Sequence, residues 1–123
     1  MTGGAIQTRL HQGVDDFNEG LFFEAHDRLE DVWMDVRGHE RLFFQGLIQL
    51  AIGYYHLSCG NYPGAEHLLG RCVGKLEPFR PSHRGILLDT LVETVRSTRT
   101  EILAGEDDEL VWAAPVIERI DPG

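Results

Sequence analysis

The sequence predicts an all-α fold, a compact bundle of about five helices arranged as two stacked helical hairpins plus a C-terminal helix. Three observations carry this expectation. Apolar residues recur at helical spacing through nearly the whole chain of 123 residues. Glycines and prolines punctuate it at intervals that fit helix ends, with Gly20, Gly38, Gly60 and Gly105 as stops. And a phrase nearly repeats forty residues on: Gly20-Leu21-Phe22-Phe23-Glu24-Ala25-His26 leading to Leu29, then Gly60-Asn61-Tyr62-Pro63-Gly64-Ala65-Glu66 leading to Leu69. Gly, Ala and Leu stay in register where one helix should end and the next begin.

The first helix is expected from about Ala5 to Phe17, with Ile6, Leu10, Val14 and Phe17 on one stripe. The second, about Leu21 to Val36, carries Phe22, Leu29, Trp33 and Val36 and stops at Gly38. The third, about Glu40 to Ser58, is apolar nearly all round and should be the central one. Asn61 is a natural N-cap for the fourth, about Tyr62 to Leu76, where Pro63 is tolerated in the first turn. Pro78 and Pro81 break the chain, and Ser82 is the expected cap of a fifth helix from about His83 to Ala104. An acidic run, Glu106 to Glu109, precedes a tail whose Trp112 and aliphatics should pack back onto the bundle. Glycines inside helices cost about 1 kcal/mol against alanine and call for a reason. Gly46 with Gly53, and Gly70 with Gly74, fit close helix contact, a dimer seam, or a surface kept open for a ligand.

Length and composition fit one domain over residues 1–123, with enough apolar residues (42%) for a core. The start lacks a basic segment followed by an apolar one, and Leu47 to Tyr55 is too short to span a bilayer. The expectation is a soluble, cytoplasmic protein with no membrane partner. A formal charge of −9 argues against nucleic acid, which calls for a basic stripe. Lys75 is the sole lysine beside ten arginines, a bias that fits either a GC-rich genome or a salt-adapted, halophilic source. Cys59 and Cys72 form no CxxC pair and read as buried free thiols.

The residues that could carry chemistry lie on the second and third helices. His26 and Glu30 are one turn apart, beside Phe22, Phe23, Leu29 and Trp33 and away from the charged side of Glu24, Asp27, Arg28 and Asp31. Gln45, Gln49, Ile52 and His56 form a stripe on the third helix, extended backwards by Arg41. An antiparallel hairpin about Gly38 sets residues whose numbers sum to 77 or 78 opposite one another, so Glu30 should meet Gln49 and His26 should lie between Ile52 and His56. Three readings stay open. The cluster is a structural network, with Glu30 accepting from Gln49 and a histidine and Arg41 neutralising a carboxylate. Or His26, Glu30 and His56 bind a divalent metal. Or the cluster lines a pocket for a small polar ligand. The remaining histidines, His11, His39, His67 and His83, read as surface or capping residues.

The run from Phe17-Asn18-Glu19-Gly20 through Glu24-Ala25-His26, Leu29-Glu30 and Trp33, then Gly38, Arg41, Phe44-Gln45-Gly46-Leu47-Ile48-Gln49, His56, Gly60-Asn61 and Gly64-Ala65 resembles the family catalogued as domain of unknown function number 309. The resemblance covers roughly Phe17 to Pro78 and implies a compact helical domain with no established activity. It matches the motif at Glu24, His26, Glu30, Arg41, Gln45, Gln49 and His56.

Two function classes follow. The first is a helical binding or interaction domain using the junction of the second and third helices. The alternative is a metal-dependent, hydrolase-like enzyme with His26, Glu30 and His56 as ligands and Glu24 as base. A homo-oligomer is compatible with the apolar helix edges, and the Gly46/Gly53 face is its candidate seam.

Overall fold

A computed structural model of the chain describes residues 3–105 and 110–120. Five α-helices carry the fold: α1 (Gly3–Asn18), α2 (Phe22–Asp35), α3 (Glu40–Ser58), α4 (Tyr62–Leu76) and α5 (Asp89–Ala104). Each packs against the next in sequence, so α1–α2 and α3–α4 are two stacked hairpins and α5 covers α4. The acidic run Glu106 to Glu109 lies outside the described residues.

The forty-residue repeat is repeated hydrogen bond by hydrogen bond. The Gly20 N–H donates to Phe17 O (2.9 Å) and the Leu21 N–H to Asp16 O (2.9 Å); the Gly60 N–H donates to Leu57 O (3.0 Å) and the Asn61 N–H to His56 O (2.8 Å). This pairing closes a helix with a left-handed residue, and Gly20 and Gly60 supply it at φ +83° and +76°. After the turn, Ala25 and Ala65 are buried, and Leu29 and Leu69 each sit over a glycine of the preceding helix. A methyl group on Gly13 would stand 2.8 Å from Leu29, and one on Gly53 would stand 2.6 Å from Leu69. Gly46 likewise faces Leu76, so Gly46 and Gly53 serve the α3–α4 contact within one chain. That assignment corrects the expectation of a dimer seam at those glycines: α4 already covers them.

The α3 core face carries Phe43, Phe44, Leu47, Leu50 and Tyr54, all fully buried. The Tyr54 hydroxyl pairs with Thr98 of α5 at 2.9 Å, and burial pushes its pKa up to about 12. Cys72 is buried and its thiol is also pushed up to about 12, an inert group as expected. Cys59 departs from expectation: it is exposed, just past the last residue of α3.

The fifth helix starts later than expected. A 3-10 turn (Glu77–Phe79) leads into a short antiparallel hairpin, β1 (Ser82–His83) and β2 (Ile86–Leu87), so Ser82 is a strand residue rather than a cap. Arg84 and Gly85 make its turn at φ +50° and +77°, which no helix can pass through. The tail returns as expected: Trp112 packs on Phe22 and Tyr54, and Ile117 is buried. Ile86 bridges to Arg119, and the Asn18 side chain both accepts from the Ile117 N–H (2.8 Å) and donates to its carbonyl (3.0 Å). No described helix is long and apolar enough to cross a membrane.

Candidate binding seam between α2 and α3

The side of α2 that enters the core is Phe22, Ala25, Leu29 and Val32. His26 and Trp33 follow one residue on from Ala25 and Val32, so helical rotation places them at the border of that face. They are half-buried, and Glu30 is more than half exposed (53%). The polar cluster is therefore a seam open along one edge, where sequence spacing alone suggested a closed interior cluster. Along α3, Arg41, Gln45, Ile48, Ile52, Tyr55 and His56 are half-buried, and Gln49 is buried to 9% exposure.

His26 Nε2 stands 3.2 Å from Glu30 Oε2. Its Nδ1 lies 3.3 Å from Asp27 Oδ1 without hydrogen-bond geometry and has no hydrogen-bond partner among the described residues. The same holds for the Trp33 indole Nε1 and for Gln49 Oε1. Among the described residues these three are the buried side-chain polar atoms without a partner, and all three belong to α2 and α3. Arg41 lies over the Trp33 ring, with its guanidinium carbon 4.0 Å from the ring centroid. One of its N–H groups reaches Val36 O at 3.4 Å, and among the described residues it pairs with no carboxylate. At the other end, Phe23 contacts both His26 (5.6 Å between centroids) and Tyr55 (5.4 Å), an aromatic bridge across the two helices.

Several expected pairings are thus absent. Gln49 Oε1 is unpaired, and Arg41 stacks instead of neutralising an acid. His56 is engaged at the far end of α3, its Nδ1 3.2 Å from the amide of Asn61, the residue that caps α4 through Gly64 N–H. Gln45 sits half-buried on the same stripe, and Glu24 is exposed on the outer face of α2. Among the described residues no group of three or more His, Cys, Asp or Glu side chains converges as a metal site would require.

A second polar group was not legible in the sequence. Glu40 accepts from Arg84 Nε and lies 3.0 Å from His83 Nε2; Arg84 also donates to Gln7 (3.2 Å), which reaches His11 (3.0 Å). Partial burial works to raise the Glu40 pKa, but Arg84 and His83 outweigh it and hold the carboxyl below its ordinary value. His83 packs edge-on against Phe43 and tilted on Phe79 (4.6 and 4.7 Å), so this group clasps the hairpin onto α1 and α3. Its members lie far apart in sequence, and no local pattern announces them. In the seam the overlooked member is Trp33, read as a packing residue; its signal was the indole nitrogen at a half-buried position.

Similarity to known proteins falls on this region. The chain is 28% identical over 111 residues to YpuF, an uncharacterized protein of Bacillus subtilis (strain 168), in a match covering 77% of this chain. The chain spans about 62% of that relative's length. Residues 10–68, from the middle of α1 into α4, include every seam residue and match the family described as "Domain of unknown function (DUF309)".

Proposed function

We propose that the chain is a small helical binding domain whose α2–α3 seam holds a compact polar ligand. One observation carries this reading: the buried polar atoms that lack partners, His26 Nδ1, Trp33 Nε1 and Gln49 Oε1, all lie on the two helices of that seam. A buried donor or acceptor without a partner costs about 1–3 kcal/mol, a cost that a ligand can offset by supplying the missing bond. Trp33 can only donate and Gln49 Oε1 can only accept, while a histidine nitrogen does either. A planar amide, with one carbonyl and one N–H, complements the first two. Phe23, Tyr55 and Ile52 supply an apolar wall beside them, and both walls of the seam are helices, which hold such groups in place.

Gln49→Leu separates this reading from a structural network. The binding reading expects the unliganded variant to be more stable by about 1 kcal/mol, because an uncompensated polar atom is replaced by an apolar one. Thermal or urea unfolding checks it. A loss of stability of about 1 kcal/mol or more would assign Gln49 to the architecture and end the proposal.

A metal-assisted hydrolase is the second reading, and the His26–Glu30 pair at 3.2 Å is the observation in its favour. It requires a third ligand to be brought to that pair, His56 or another. Metal analysis of tag-free protein decides: near-stoichiometric zinc, manganese or iron, lost in His26→Ala, supports it, and its absence removes it.

A further inference from the structure

Arg41 gives the seam a direction. In a chain with 20 acids against 11 basic residues, it is a half-buried cation that pairs with no carboxylate among the described residues. A guanidinium has five N–H donors in a rigid fork, and among the described residues one is used, in a long bond to Val36 O. With its carbon 4.0 Å from the Trp33 ring centroid, the group is held against the indole, and its unused N–H donors suit a planar anion.

We infer that the ligand of this seam is the carboxyl-terminal segment of a polypeptide, its terminal carboxylate on Arg41 and its main-chain amides on Trp33 and Gln49. The inference rests on the binding reading above and deepens it. Arg41 and Gln49 are eight positions apart on one helix, so their Cα atoms are roughly 12 Å apart at 1.5 Å per residue, and from the Arg41 guanidinium over Trp33 past Gln49 to Tyr55 the seam has room for three or four extended residues. A single acylated amino acid falls short of it. The unpartnered acceptor of Gln49 and the Trp33 indole N–H are covered by protein in the unliganded seam, so the peptide reaches them with its own N–H and carbonyl only as the exposed edge of α2 gives way. Beyond Gln49 the seam ends in Phe23, Ile52 and Tyr55, a wall for an apolar side chain. The outer edge of α2 is acidic through Glu24, Asp27, Glu30 and Asp31, all exposed, so residues preceding the terminus are expected to be basic.

The test uses the full chain, nitrogen-15 labelled. Its two tryptophans separate site from background: the indole N–H signal of Trp33 reports the seam, and that of Trp112, packed on Phe22 and Tyr54, serves as internal control. The probes are acetyl-Lys-Lys-Ala-Leu with a free carboxylate, the same peptide amidated at its end, and acetyl-leucine. The expected result is a shift of the Trp33 signal by the free acid, with affinity weakened about tenfold or more by amidation, the loss of a charge-assisted bidentate bond. Arg41→Gln should abolish the difference between acid and amide while leaving the amidated peptide unchanged. If acid and amide move Trp33 equally, the carboxylate assignment is overturned and the binding reading stands. If acetyl-leucine binds as tightly as the tetrapeptide, the ligand is a free acyl amino acid and the peptide assignment is overturned. If no probe moves Trp33 at about 1 mM, a concentration that detects even weak complexes, the peptide assignment is overturned, and the binding reading is decided separately by Gln49→Leu.

Discussion

Two of the positions at which the copies of the repeat differ, 26/66 and 30/70, separate a closed helix face from an open one. In the second copy the residue after the buried alanine is Glu66, which binds Arg99 of α5 at 2.7 and 2.9 Å. One turn on is Gly70, and the missing side chain there lets the Arg99 guanidinium lie within 2.9 Å of where a Cβ would stand. In the first copy the same two positions hold His26 and Glu30, which face one another at 3.2 Å. An arginine from the next helix closes the second face. On the first, the arginine of the next helix, Arg41, lies on Trp33 and pairs with no acid among the described residues. A duplicated scaffold thus uses one surface for cohesion and leaves its counterpart with bonding capacity to spend on something else.

Mutations can break or sharpen that contrast. The largest expected effects fall where the copies agree: Leu29→Ala and Leu69→Ala should each cost about 2–5 kcal/mol, because each leucine is buried over a glycine. Equal losses in denaturant unfolding would establish the repeat as an energetic unit; a cost confined to one copy would break it. Gly53→Ala comes next. A methyl 2.6 Å from Leu69 should destabilise by about 1–3 kcal/mol despite the gain in helix propensity, whereas exposed Gly74→Ala should stabilise slightly. Tyr54→Phe, removing the buried bond to Thr98, should cost about 1 kcal/mol in the same measurement. The smallest effect belongs to the closing pair itself. Glu66→Gln should cost only about 0.5 kcal/mol, and less still in high salt, since both side chains are partly exposed. A salt-insensitive cost above about 2 kcal/mol would show that the pair governs the second copy more than its exposure suggests.

The repeat was legible because a glycine at a left-handed turn, followed at fixed helical spacing by an alanine and a leucine that both turn inward, leaves a local signature in the sequence. The first four helices followed from it to within two residues at each end. The fifth did not. Its expected first turn is a β-hairpin whose turn residue, Arg84, occupies a conformation that normally selects glycine, and it is held there by Glu40 and Gln7, 44 and 77 positions away. No local propensity encodes such a contact. In the seam, Gln49 stood out as a polar residue on an apolar helix, and its burial followed. The orientation of its neighbours did not follow, because pairing rules state which residues are level across two helices and are silent about which edge they turn to. Glu30 therefore emerged exposed, and Trp33 and Arg41 met by stacking.

The bonds between Asn18 and Ile117 join positions 99 residues apart in a molecule whose main helix packing runs between neighbours in sequence. A stack of neighbouring hairpins unfolds piecemeal, one end fraying while the other holds. Tying the end of the first helix to the tail converts that sequence of small openings into one event. Asn18 is a latch between the two ends of the fold. Its removal should show more in the rate of unfolding than in the rate of folding.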